Sequence, residues 1–150
     1  MADAMPFSGF HFSVAFELLP QFSIDTKFQS VSGLTSTVEM ESINEGGQNR
    51  FKISLPKGND FDDLVLKRGV TRNFSGLRMW TNNALQNFVF VPANLLVMLL
   101  NENHEPVKAW YVTKAIPKSL SISDFDAEEN NLVIETLTLD YQFFNEIPIP

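Results

Sequence analysis

The sequence predicts an antiparallel β domain carrying a single helix. Nearly every periodic segment alternates apolar and polar residues with period two, the pattern of a strand with one buried face. Clusters of Gly, Pro, Asn and Asp separate these segments and supply turns. One stretch alone, from Ser75 to Phe88, repeats its apolar residues at helical spacing.

Phe10, Phe12, Val14, Phe16 and Leu18 alternate with His11, Ser13, Ala15 and Glu17, which predicts the first strand. An extended run from Phe28 to Asn44 is interrupted at Ser32-Gly33, where a glycine marks a bulge or bend. Beyond it Leu34, Val38 and Met40 fall on one face, and Thr35, Thr37, Glu39 and Glu41 on a polar, partly acidic one. Glu45-Gly46-Gly47-Gln48-Asn49 predicts a hairpin, with Phe51, Ile53 and Leu55 on the return strand and Pro56 to Asp60 as the next turn. A short strand at Leu64-Val65-Leu66 ends at Gly69. In the helix, Leu77, Trp80, Thr81, Ala84, Leu85 and Phe88 form the buried stripe, with Asn73 or Ser75 as N-cap. Asn94 to Asn101 is apolar on both faces and predicts a strand covered on both sides. Val107 to Ile116 predicts another strand, ended by Pro117, and Ser123 to Asn131 a charged connection. The last strand runs from Leu132 to Phe144. Val133, Leu137, Leu139, Tyr141 and Phe143 share its apolar face, with Glu135 the exception, and Thr136, Thr138, Asp140 and Gln142 share the other. The count is seven strands and one helix in a single domain, 1-150, without repeats.

Composition narrows the function. The chain carries 14 Phe against two Tyr and two Trp; a ring without a polar handle suits a thick core or a protein–protein surface. A formal charge of -7 argues against nucleic-acid binding and against binding to anionic membranes. Without cysteine there is no disulfide, zinc-thiolate or thiol nucleophile. The first residues, Met1 to Pro6, predict no signal peptide, and the apolar run Leu95 to Leu100 is too short to span a membrane.

Catalytic patterns are missing. His11 and His104 lie far apart in sequence without metal-ligand spacing, so neither a metal nor a cofactor is expected. Asp124-x-Asp126-x-Glu128-Glu129 lacks the central glycine of a calcium loop, and Gly46-Gly47 has no Lys-Ser or Lys-Thr behind it. An enzyme is not expected. Two long strands with a Thr-rich acidic face opposite an apolar one suit either a sheet turned to solvent or the wall of a water-filled bore.

Over essentially the whole chain the sequence resembles the tail tube protein family of contractile phages and phage-tail-like extracellular contractile injection systems, related to the type VI secretion tube protein. Phe10-His11-Phe12-Ser13-Val14, Phe28 to Leu34, Glu45-Gly46-Gly47-Gln48-Asn49, Leu64-Val65-Leu66-Lys67-Arg68-Gly69, the helix around Trp80, Trp110, Pro117 and Val133 to Leu137 carry that resemblance. It implies a mainly β fold of two packed antiparallel sheets, barrel- or sandwich-like, with one flanking α-helix. It also implies a structural protomer whose hexameric rings stack into a hollow inner tube, driven through a target envelope by sheath contraction. The implied partners are further copies of the chain, a contractile sheath protein, baseplate or spike and terminator cap proteins, and protein cargo in the lumen. The particle would be assembled in the bacterial cytoplasm and act outside the cell. On this model Thr35, Thr37, Glu39, Glu41, Thr136, Thr138, Asp140 and Gln142 face the lumen. Glu45, Gly46, Gly47, Gln48 and Asn49 meet the next ring, and Arg50, Lys67 and Arg68 pair with acidic groups of a neighbour. The alternatives are a phage tail tube, a baseplate-proximal tube initiator and, in another class, a β domain binding a small ligand or glycan.

Overall fold

The structure, a computed structural model, describes residues 10–17, 27–43, 53–70, 76–123 and 133–149. In chain order the elements are β1 (His11–Phe16), β2 (Lys27–Phe28), β3 (Ser30–Ser32), β4 (Ser36–Ile43), β5 (Ile53–Phe61), β6 (Leu64–Gly69), α1 (Gly76–Asn87), β7 (Ala93–Leu100), β8 (Pro106–Ile122), β9 (Ile134–Asp140) and β10 (Phe143–Ile147).

The main sheet runs β2-β1-β7-β8-β9-β6-β3, antiparallel throughout. The 17-residue strand β8 belongs to both layers. Its first half pairs with β7 on one side and β10 on the other, and Ile116 to Ile122 pair with β9. The register shifts between Pro117 and Ser119, and a bulge suits a proline that has no N–H for the ladder. At the other end of the sheet, β2 and β3 are separated by Gln29 alone, whose N–H donates to the Lys67 carbonyl at 2.8 Å. One segment, Lys27 to Ser32, therefore stitches β1 to β6 and curls the sheet into two packed layers with short edges.

Alternation decides what lies between the layers. Val14, Phe16, Leu95, Val97 and Val112 from the first layer meet Leu64, Leu66, Leu137 and Leu139 from the second, all buried. Burying each such aliphatic side chain contributes about 1.5–3 kcal/mol. Helix α1 adds Leu77, Trp80 and Ala84 to the buried set. The Trp80 ring meets Phe16 edge-on at 5.3 Å, and its Nε1–H donates to the Val91 carbonyl at 2.6 Å. Phe88, expected on the buried stripe, is 84% exposed. It follows the last helical residue with a φ of 55°, so its side chain leaves the stripe and stacks edge-on against Phe90 at 4.9 Å.

Strands β4 and β5 form a separate two-stranded ribbon. Every residue of β4 is exposed, and in β5 all but the two end residues are. The ribbon prolongs the β3–β6 pair past a bend at Gly33, whose φ is 93° and where a Cβ would collide with the Asp63 carbonyl. Its base is held by Phe61, which packs on Tyr141 at 6.1 Å and on Phe144 at 5.3 Å. The Tyr141 hydroxyl donates to the Gly33 carbonyl at 3.3 Å.

Three boundaries differ from expectation. Pro56 to Asp60 lie inside β5, because a bulge opposite Glu39 and Met40 absorbs the extra residue; an open-edged ribbon also tolerates a proline. β8 continues past Pro117 to Ile122. The predicted final strand breaks at Tyr141-Gln142, β9 remaining in the second layer and β10 crossing to the first half of β8.

Candidate functional site

Residues directly opposite in an antiparallel pair share a face. Across the second layer this builds two rows, Ser30–Lys67–Thr136–Ser121 and Ser32–Val65–Thr138–Ser119, polar at every position but Val65. Alternation turns these rows away from buried Leu66, Leu137 and Leu139. Strand parity pointed to Thr136 and Thr138; the serines on β3 and β8 that complete the rows emerge only from cross-strand register. Beside them Lys118 pairs with Asp63 at 2.8 Å, and this contact holds the ammonium pKa above its usual value.

On the ribbon, Thr37 lies opposite Asp60, Glu39 opposite Gly58, Glu41 opposite Leu55 and Ile43 opposite Ile53. Thr37, Glu39 and Glu41 do share a face, but that face is polar at the base and apolar toward the far end. The reverse face carries Val38 opposite Asn59 and Met40 opposite Pro56. Val38 and Met40 are 48% and 54% exposed, so both faces hold apolar groups in water. Thr35 is exposed just before β4.

Asp140 keeps the strand parity of Thr136 and Thr138 and pairs with Ile116, whereas Gln142 lies past the end of β9. Asp140 ends β9 and lines a hollow with Leu85, Phe88, Phe90 and Lys118, while Gln142 sits in the bend before β10. Tyr141 between them has its phenol pKa pushed up to about 12, by burial first and then by Asp62, Asp63 and Asp140. Glu45, Gly46, Gly47, Gln48, Asn49 and Arg50 lie outside the described residues, as do both N-cap candidates and Asp124 to Glu129.

Of the expected intersubunit cations, Lys67 sits within the polar rows, exposed and opposite Thr136. Arg68 is a correction: it has the parity of Leu64 and Leu66, points inward and is 5% exposed. Its Nε donates to Glu135 Oε1 at 2.8 Å, and its guanidinium lies 5.2 Å from the Phe28 ring centre. Arg78 of α1 donates through Nη2 to Glu135 Oε2 at 2.7 Å. A neighbouring subunit is therefore not needed to balance Arg68. Glu135, the odd acid on an apolar face, was the sequence clue to this buried triad, though nothing in the sequence named its partners.

Sequence reasoning also missed that His11 and His104 meet. The β1–β7 register brings the β7–β8 turn over the start of β1, and His104 Nδ1 lies 2.9 Å from His11 Nε2. A separation of 93 positions carries no local signal. Among the described residues no group of three or more His, Cys, Asp and Glu is placed to hold a metal ion, and no helix is long and apolar enough to cross a membrane.

Residues 8–145 match the model of the T4-like virus tail tube protein gp19 family. A chain in the six-fold symmetrised structure of the anti-feeding prophage baseplate is 32% identical, over 98% of this chain and 97% of that one, with a TM-score of 0.79. A chain of the PVC extracellular contractile injection system, in its extended sheath–tube complex, is 25% identical over 97% and 94%, with a TM-score of 0.75. Hcp1 from Salmonella typhimurium, 13% identical over 93% and 86% with a TM-score of 0.56, shares the fold. A search of curated proteins gave no match.

Proposed function

Since the chain belongs to the T4-like virus tail tube protein family, we propose that it is the repeated protomer of the inner tube of an extracellular contractile injection system, closing into six-membered rings that stack into a hollow tube. The observation that carries this reading is the β4–β5 ribbon. A two-stranded ribbon exposed on both faces is marginally stable alone in water, and each of its strands keeps an open outer edge. Neighbouring copies supply the missing strand partners, and a heterologous contact that closes gives a ring.

In the ring, the polar rows of β3, β6, β8 and β9 and the Thr37–Glu39–Glu41 face of the ribbon line the bore, with Thr35 at the ribbon's base. A wall of hydroxyls and carboxylates adheres weakly to folded cargo. The segment Glu45 to Asn49, with Arg50, meets the adjacent ring. Sheath, baseplate and cap proteins bind the outside and ends of the tube, and the assembled particle acts outside the cell. The family is a structural one.

A second reading stays within the family. The 32% identity to a chain in a baseplate structure supports a ring near the baseplate as the alternative to the repeated shaft. Negative-stain microscopy of the purified protein separates the outcomes. Stacked six-fold rings with an open channel support the shaft protomer, and single rings that stack only on a baseplate partner support the second reading. A monodisperse monomer at every concentration, with no partner able to nucleate rings, overturns both.

A further inference from the structure

We propose that His11 and His104 form a two-nitrogen chelate for a divalent transition-metal ion, with Cu2+ or Ni2+ the best fit. Their facing ring nitrogens are 2.9 Å apart, and the rings meet edge-on with centroids 4.8 Å apart at 73°. Two imidazole nitrogens, each about 2.0–2.1 Å from one ion and at right angles across it, lie about 2.9 Å from each other, whereas a tetrahedral ion spreads them to about 3.3 Å. The spacing thus matches adjacent corners of a square-planar or tetragonal ion.

The turn that delivers His104 is built by hydrogen bonds. The Asn101 side-chain oxygen accepts from the N–H of Asn103 at 2.9 Å and of Glu105 at 3.0 Å. The Asn101 N–H donates to the Glu105 carbonyl at 2.9 Å, and the His104 N–H to the Asn101 carbonyl at 3.0 Å. Within this frame His104 takes a φ of 62°, a left-handed conformation that is uncommon outside glycine and holds the imidazole over β1. His11 is fixed by its place in β1 opposite Leu100. Exposed Glu102 and Glu105 flank His104, and the chain carries a formal charge of -7, so the local field favours a cation. When the ion binds, the ring that donates the present hydrogen bond moves its proton to its remote nitrogen, which frees both facing lone pairs. With two protein ligands, water completes the coordination.

The chain has two histidines in all, so an imidazole signal is assignable without ambiguity. The test titrates CuCl2 into the full-length protein in a buffer that does not bind copper, followed by calorimetry and electron paramagnetic resonance. The wild type is expected to take up one ion per chain with superhyperfine coupling from two imidazole nitrogens. Both are lost in His11→Ala and in His104→Asn, the latter chosen because asparagine tolerates a left-handed φ; unchanged circular dichroism shows that the variants fold. Equal uptake by the His11→Ala/His104→Asn double variant overturns the proposal. So does a two-imidazole signal that appears only with copper-induced dimers in sedimentation. Ring formation is read separately, so failure here leaves the tube assignment standing.

Discussion

Two side chains show how single positions set stability. Glu135 takes Arg68 on one carboxylate oxygen and Arg78 on the other, with side-chain exposures of 6% for Glu135, 6% for Arg68 and 21% for Arg78. Removing one member of a buried ion group strands the others in a low dielectric. Glu135→Ala is therefore expected to lower the unfolding free energy by about 3–5 kcal/mol, read from the urea midpoint of the monomer, with Arg78→Ala costing less because that guanidinium reaches water. Tyr141 sets a pH limit. Its phenol pKa is raised from 10.0 to about 12, so the fold favours the neutral form. That contribution is whole below the ordinary phenol range and is lost as pH climbs from about 10 through about 12. An ultraviolet titration of phenolate should show both tyrosines ionising late, since the Tyr111 hydroxyl, donating to Glu17 at 2.8 Å, is also raised. Tyr141→Phe should remove the later of the two steps.

β1 and β9 were legible from alternation, because burial of one face imposes period two, and β6 and β7 from short apolar runs bounded by turn residues; all four lie where the sequence put them. Legibility failed where the backbone departs from regular geometry. A bulge hid Pro56 to Asp60 inside β5, another carried β8 past Pro117, and the bend at Tyr141-Gln142 divided one apparent strand between two layers. The polar rows were legible to the same degree. Thr136, Thr138 and Asp140 keep one parity along β9, and Gln142 lies past its end; Arg68 shares the inward parity of Leu64 and Leu66, but its partner Glu135 emerges only from the β6–β9 register. The ribbon is the element most open to test. Met40 is 54% exposed in the lone chain, so Met40→Glu should change monomer stability by no more than about 0.5 kcal/mol. If the ribbon's apolar face meets another copy, the same change abolishes rings in negative stain; intact rings would remove the ribbon from the contact.

The proposed bore would be a property of the assembly. A chain without cysteine accepts single-cysteine probes cleanly, and Thr138→Cys places a thiol in the middle of the polar rows. In monomer it should react with small and polymer-bound maleimides alike; in assembled tubes the small reagent alone should enter. Equal reaction with the bulky reagent after assembly would put that face on the outside. If copies of the chain stack into a rod pushed from behind, the strand common to both layers has a mechanical consequence. Because β8 runs unbroken from the β7–β10 side into the β9 side, axial thrust on one layer passes through continuous covalent backbone into the other. The subunit should yield as a block, and the compliance of the rod then resides in the joints between subunits.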